Sequence, residues 1–364
     1  MKNNSNKAQH EMDSETQRLS RFRGCLLGGA SGDALGHPVE FLRIDDIRFK
    51  YGVRGIQSYP DDTGGLITDD TQMTLFTAEG LLRASAYLQE RKELGDDSRR
   101  TVRRFVHSAY LRWNKTQSGI RRVPSETVGL LTVPELFVRR APGNTCLSAL
   151  AQTPLGQKAL NDSKGCGGVM RVAPVGLLYP PEEAFHLGCE TAAITHGHRT
   201  GIYSSGFLAM IIALLLEGAS LPKAIYSTSR FMMDTVQGDE ETLDAVNRAL
   251  EYAEKSEHSE RMLAKVEEGW IAEEALAIGL YCALVAGEDF ERGITLAVNH
   301  DGDSDSTGSI AGQILGAMLG EEGIPAKFLE RLELCALIGS MAEDLFIGYR
   351  DDEAWHKQYR KELP

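Results

Sequence analysis

Two stretches of this 364-residue chain carry glycine at every fourth position: Gly24, Gly28, Gly32 and Gly36, and again Gly308, Gly312, Gly316 and Gly320. Both lie in sequence with helical apolar spacing, and four residues is close to one helical turn. Each set therefore forms a stripe along one helix. Glycine in a helix interior costs roughly 1 kcal/mol relative to alanine, so two such stripes need a reason. A smooth face that lets another backbone approach closely supplies one, a device best attested between membrane helices. The expectation is two central helices with bare faces, packed on each other or each on a third helix. Packing on each other would bring residues near 33–40 close to residues 303–308.

The rest of the chain is also helical in pattern. Apolar residues recur at spacings of three and four over about 70–93, 98–114, 181–196, 199–218, 221–234, 239–255, 270–287, 289–298, 306–319 and 324–345. Strand-like alternation is scarce. Ile44 to Gly65 looks irregular, with Gly52, Gly55, Pro60 and Gly64-Gly65, and reads as a mobile flap. Arg121 to Thr132, Gly143 to Thr145 and Ser163 to Gly168 read as loops. Neither a repeat nor a Pro-rich linker divides the chain, so a compact all-α domain over 21–364 is expected. Residues 1–20, rich in Asn, Gln, Glu, Lys and Ser, read as a flexible extension or a partner-binding arm.

A net charge of −13 argues against a nucleic-acid partner, which would want a basic face. It leaves room for an anionic ligand held by backbone N–H groups, arginine or metal. The strongly apolar run Phe207 to Leu216 is too short to span a bilayer, so no membrane is expected. Six scattered cysteines without a C-x-x-C pair and a polar start without an apolar signal core suggest a cytoplasmic protein.

The chemistry concentrates in two short stretches. Asp301 to Thr307 packs three carboxylates and three hydroxyls into seven positions, just before the second glycine stripe. Thr68-Asp69-Asp70-Thr71 is a similar cluster ahead of another helical pattern. Asp and Ser cap helices and favour the positive end of the dipole, so either cluster alone reads as an acidic helix start. Two of them together suggest a cation of higher charge. Asp69, Asp70, Asp303 and Asp305 would balance two divalent ions, and hard oxygen donors suit Mg²⁺, Mn²⁺ or Ca²⁺ rather than zinc.

Asp301-x-Asp303-x-Asp305 starts like an EF-hand loop, but Ser306 and Gly312 stand where that loop needs Gly and Glu. A phosphatase nucleophile loop of the haloacid-dehalogenase type would lie early, after a buried strand. Asp162 to Arg171 is a Gly-rich turn opening a helix, and its backbone N–H groups could cradle a phosphate. In Thr195-His196-Gly197-His198-Arg199 the two histidines do not share a helix face. A ligand contact or a histidine complementing a helix dipole suits them better than zinc.

Taken together, Gly24-Cys25-Leu26-Leu27-Gly28, Gly32-Asp33, Glu40, Thr68-Asp69-Asp70-Thr71, Gly167-x-x-Met170-Arg171, Thr195-His196 and Asp303-Ser304-Asp305-Ser306 resemble the ADP-ribosylglycohydrolase family over about residues 21–347. The resemblance implies a compact all-α fold with two Mg²⁺ or Mn²⁺ ions. It implies metal ligands at Thr68, Asp69, Asp70, Asp303, Asp305 and Ser306. It places Glu40 on a flexible segment beside the metals, and Gly165, Cys166, Gly167, Gly168 and His196 along the ADP-ribose. Cys166 stands where many members carry Asn, and Ser306 where Thr is more usual.

The implied reaction cleaves the bond between the ribose anomeric carbon and a protein side chain. It passes through an oxocarbenium-like state that a general acid or base assists. Glu40 is the expected acid/base, with Asp303 or Asp70 as alternatives, because a metal lowers the pKa of its own ligands. The expected substrate is ADP-ribosyl-arginine on a modified protein. Serine-linked ADP-ribose and a free ADP-ribosyl metabolite are alternatives. A different class of function is an immunity protein that blocks an ADP-ribosyltransferase toxin through residues 1–20, and a phosphatase using the Asp303 loop is a third.

Overall fold

The computed structural model describes residues 2–91, 96–118, 128–236, 239–255, 263, 268–359 and 364, with side chains from residue 14 onward except at 90, 91 and 96. Among these residues there are sixteen α-helices and, in place of strands, two isolated bridges.

At the centre lie α1 (Lys2–Gly36) and α13 (Ser304–Leu319). The glycine stripes face each other along them. A Cβ on Gly24 would strike the carbonyl oxygen of Gly316, one on Gly28 that of Gly312, and one on Gly32 that of Gly308. The reciprocal clashes hold for Gly308, Gly312 and Gly316, all inside the 3.0 Å below which real Cβ atoms are essentially never found. The two helices are thus antiparallel and touch backbone to backbone, as the stripes require. At the end of the seam Gly36 lies against Ser304, so the last turn of α1 meets the first turn of α13.

Other helices surround this pair. α3 (Asp69–Arg91) packs on α4 (Asp96–Thr116), and α7 (Pro181–Ala192) on α8 (Arg199–Leu216). α9 (Leu221–Thr235) joins α8, and α10 (Glu240–Ala253) lies on α11 (Ala272–Ala286). α11, α12 (Phe290–Val298) and α13 pack mutually, and α15 (Cys335–Ile347) closes on α1. The short helices are α2 (Ile44–Tyr51), α5 (Asn144–Gln152), α6 (Ala173–Leu178), α14 (Ala326–Leu329) and α16 (Glu353–Gln358). Helix α8 has the length and hydropathy of a membrane span, yet 72% of it is buried within the fold.

Several expectations change. The helix read from the pattern over 324–345 is broken, because Leu334 adopts φ 58° and α15 starts anew after it. The irregular stretch from Ile44 contains α2, whose first N–H donates to Asp301 Oδ1 at 2.6 Å. Farther on, Asn299 exchanges two hydrogen bonds with the Ile56 backbone, at 2.8 and 2.9 Å. The loop expected at Gly143 to Thr145 becomes the start of α5. Residues 2–20, read as an extension, are helical and continuous with the core part of α1. Residues 121–127 of the expected Arg121 to Thr132 loop lie outside the described residues.

Candidate active site

Helix α1 delivers a residue that organises the start of a second helix. Asp33 is fully buried one residue past Gly32, and its carboxylate accepts from the backbone N–H of Thr68 at 3.0 Å and of Thr71 at 3.1 Å. The Thr71 hydroxyl donates to it as well. A side chain of one central helix therefore caps the N-terminus of α3. Thr68 Oγ1 adds a local cap by accepting from Asp70 N at 3.2 Å. The α13 N-terminus is set by the seam itself, with Asp303 at its N-cap position and Asp303 N donating to Glu268 O at 2.9 Å. Two helix N-termini thus converge, and their positive ends favour the anions gathered there.

Between them lies an acidic pit. Glu40, Asp69, Asp70, Asp303, Asp305 and Ser306 line one side of a cavity of about 220 Å³, and each is at most 7% exposed. Glu40, Asp303 and Asp305 each bring a carboxylate oxygen to within 4.8 Å of the others. Burial, then repulsion from Asp305, Asp303 and Asp69, pushes Glu40 up to about 10. Burial and Asp305 likewise hold Asp69, Asp70 and Asp303 well above the usual carboxylate range. Asp33 rises to about 7 for the same reasons. Among the described residues, no cationic side chain lines this cavity. Glu40 Oε2 and Asp70 Oδ2 are buried without a hydrogen-bond partner, a costly state for such oxygens. Crowded hard oxygen donors with unused lone pairs fit a divalent cation.

The opposite wall comprises Gly143, Asn144, Thr145, Cys146, Gly165, Cys166, Gly167, Met170, His196 and Trp270. The Cys166 thiol donates to Asp303 Oδ2 at 2.8 Å and lies 3.6 Å from Ser306 Oγ. Burial, then Asp303 and Asp70, holds this thiol well above its ordinary value, so it is a neutral donor. His196 is neutral too: burial, then Arg171, pushes its imidazole down to about 3. Arg171 Nη2 donates to Thr195 Oγ1 at 2.6 Å, and that hydroxyl lies 2.9 Å from His196 Nδ1. The Arg171–Thr195 pair thus fixes the orientation of the His196 ring through Nδ1.

Most of the residues singled out from sequence meet at this cavity. Glu40, Asp69, Asp70, Asp303, Asp305 and Ser306 face Gly165, Cys166, Gly167 and His196 across it. Thr68 is buried behind the wall as the cap of α3. Gly168 does not line the cavity; it packs against Ala192 and Ser205, where a Cβ would lie 3.0 Å or less from them. Asp301 turns away to cap α2. His198 is an N-cap acceptor for Thr200 N at 3.2 Å, so it is a structural residue at a helix start. Sequence reasoning missed the capping role of Asp33, the Arg171–Thr195 support of His196, the α5 start and Trp270. Only Asp33, Arg171 and Thr195 carried a signal, as members of the resembling motifs.

An all-helical shell around a buried carboxylate pit suits hydrolytic chemistry on a polar substrate. Comparison with known proteins narrows that class. The family profile described as ADP-ribosylglycohydrolase matches residues 14–354. An ADP-ribosylarginine hydrolase, Tri1, of Serratia proteamaculans is 26% identical, over 91% of this chain and 80% of that protein. The zebrafish (Danio rerio) ADP-ribosylhydrolase ARH3 is 25% identical, over 84% of this chain and 85% of its own. A solved chain from an ADP-ribosylglycohydrolase-related protein complex superposes with a TM-score of 0.63 at 28% identity, covering 91% of this chain and 99% of that one. This chain belongs to the ADP-ribosylglycohydrolase family, and it is a glycosidase-type hydrolase of ADP-ribosyl linkages.

Proposed function

We propose that the enzyme releases ADP-ribose from an arginine side chain of a modified protein, using two divalent cations, Mg²⁺ or Mn²⁺. The observation that carries the metal reading is the meeting of Glu40, Asp303 and Asp305 within 4.8 Å, in a pit whose described lining has no cationic side chain. Thr68, Asp69, Asp70, Asp303, Asp305 and Ser306 would hold the ions. Bound there, the ions would supply Lewis acidity toward the ribose hydroxyls and a water of lowered pKa. Support for arginine comes from the Tri1 relative and from the resemblance of the Gly165–Pro174 and Asn299–Gly312 stretches to bacterial family members.

The chain's own residues have defined tasks. Glu40 stands beside Asp303 and Asp305 in the buried pit, where its carboxyl group can deliver a proton to the leaving nitrogen as the glycosidic bond breaks. As a carboxylate it then takes a proton from the attacking water. His196 offers a neutral imidazole to a ligand, and the Arg171–Thr195 pair holds its ring in place. The buried side chains of Met170 and Cys146 give the wall opposite the carboxylates an apolar part. Toxin blocking through residues 1–20 has no feature of this site behind it. Six free cysteines fit a reducing cytoplasm, the location we propose.

The test is release of ADP-ribose from arginine-modified and serine-modified protein, with Mg²⁺ and with chelator, in wild type and Glu40→Gln. Metal-dependent release from the arginine substrate, lowered about 10²-fold or more in Glu40→Gln, is the expected result. Cleavage of the serine linkage alone would overturn the arginine assignment. Full release in chelator would overturn the metal assignment.

A further inference from the structure

Trp270 lines the cavity and stacks on Phe41, ring centroids 6.0 Å apart and planes within 18°. Both stay open to solvent, Phe41 at 73% and Trp270 at 40%. The other two tryptophans, Trp113 and Trp355, are buried core residues. The pair's position is fixed from both sides. Phe41 follows Glu40, the expected acid/base. Trp270 lies on a strap tied to the pit: Glu268 O accepts from Asp303 N at 2.9 Å, Trp270 O accepts from Cys166 N at 3.3 Å, and Ala272 N donates to Lys164 O at 2.8 Å. An exposed π surface is thereby held at the edge of the pit, next to Glu40.

We propose that Phe41 and Trp270 form the subsite for the side chain that leaves, and that its occupant is the planar guanidinium of arginine. This rests on the hydrolase reading above and deepens it by naming a specificity element. A protonated guanidinium is flat, weakly hydrated and attracted to an aromatic face, with tryptophan the best of them. A serine hydroxyl has neither the charge nor the plane, so the same surface gives it nothing. The subsite thus acts on the linkage and leaves the ADP-ribose half untouched.

The test compares three probes, ADP-ribosyl-arginine peptide, ADP-ribosyl-serine peptide and free ADP-ribose, in wild type, Trp270→Leu and Trp270→Phe. Leucine keeps the apolar area and removes the π face; phenylalanine restores it. The expected result is a loss of kcat/KM toward the arginine peptide of roughly five- to tenfold in Trp270→Leu, largely recovered in Trp270→Phe. Affinity for free ADP-ribose and any turnover of the serine peptide should change less than about twofold. Equal losses on all three probes would overturn the subsite and make Trp270 a support of Glu40. Wild-type turnover of serine peptide alone would overturn it while leaving the hydrolase intact. Turnover of neither peptide would fail the hydrolase reading itself.

Discussion

The glycine seam and the acidic pit at its end are opposites. Along the seam, α1 and α13 touch through backbone, and every Cβ that would keep them apart has been removed. In the pit, Glu40, Asp69, Asp70, Asp303 and Asp305 crowd charge that no lysine or arginine among the described lining residues offsets. The seam has shape with no charge, and the pit has charge that the fold alone leaves unfavourable. The difference teaches that the first makes the second possible. A rigid helix pair can hold repelling carboxylates in place, whereas a looser scaffold would let them move apart. Asp33 belongs to both, lying beside the seam glycine Gly32 while fixing the Thr68–Thr71 turn.

Substitutions should therefore divide by region. Asp303→Asn and Asp69→Ala should each lower ADP-ribose release by about 10³-fold or more. Stripped of metal, these variants should melt no lower than wild type, because they relieve repulsion; a marked fall in calorimetric Tm would break the contrast. Gly312→Ala should do the reverse and cost about 3 kcal/mol or more, since its methyl group would overlap the Gly28 carbonyl. Denaturant melts of Gly312→Ala, Gly28→Ala and the double variant should show non-additive losses, as for residues in direct contact.

Smaller effects should come from the residue that joins the regions. Asp33→Asn keeps one acceptor oxygen and should weaken divalent-ion affinity by roughly 10- to 100-fold, as supporting residues of metal ligands do. Isothermal titration on the folded variant measures this, and unchanged affinity would show that the α3 cap is independent of the pit. A further effect is on pH dependence. Glu40 and Asp33 hold protons in the folded state up to about 10 and about 7, against about 4 when unfolded. The folded state thus binds more protons between those values, so stability in chelator should fall as pH rises from about 5 to 9. The seam glycines themselves carry no titrating group, and added Mg²⁺ should flatten the slope.

How legible the molecule was from sequence depends on the range of each signal. The seam was legible because a helical stripe is a local pattern, and the acidic clusters because capping residues sit next to the helices they start. Helix α2 was not, because its N-terminal acceptor is Asp301, 257 residues away, and Asn299 pins the chain beyond it. The break before α15 left no mark, since a leucine with positive φ has no sequence signature. Gly168 read as part of a ligand loop because its neighbours Gly165 and Gly167 are, while its own surroundings on α7 and α8 are tertiary. Trp270 was invisible for the same reason: only the strap's backbone hydrogen bonds bring it to the pit.

The central claim is that the fold leaves the pit's charge for divalent ions to complete. Calorimetric titration of Mn²⁺ into chelator-stripped protein, repeated with Asp303→Asn, tests it most directly. Saturable binding of two ions per chain, a higher Tm on loading, and loss of both in the variant are the expected results. Absence of saturable binding by wild type, with ADP-ribose still released in chelator, would contradict the claim.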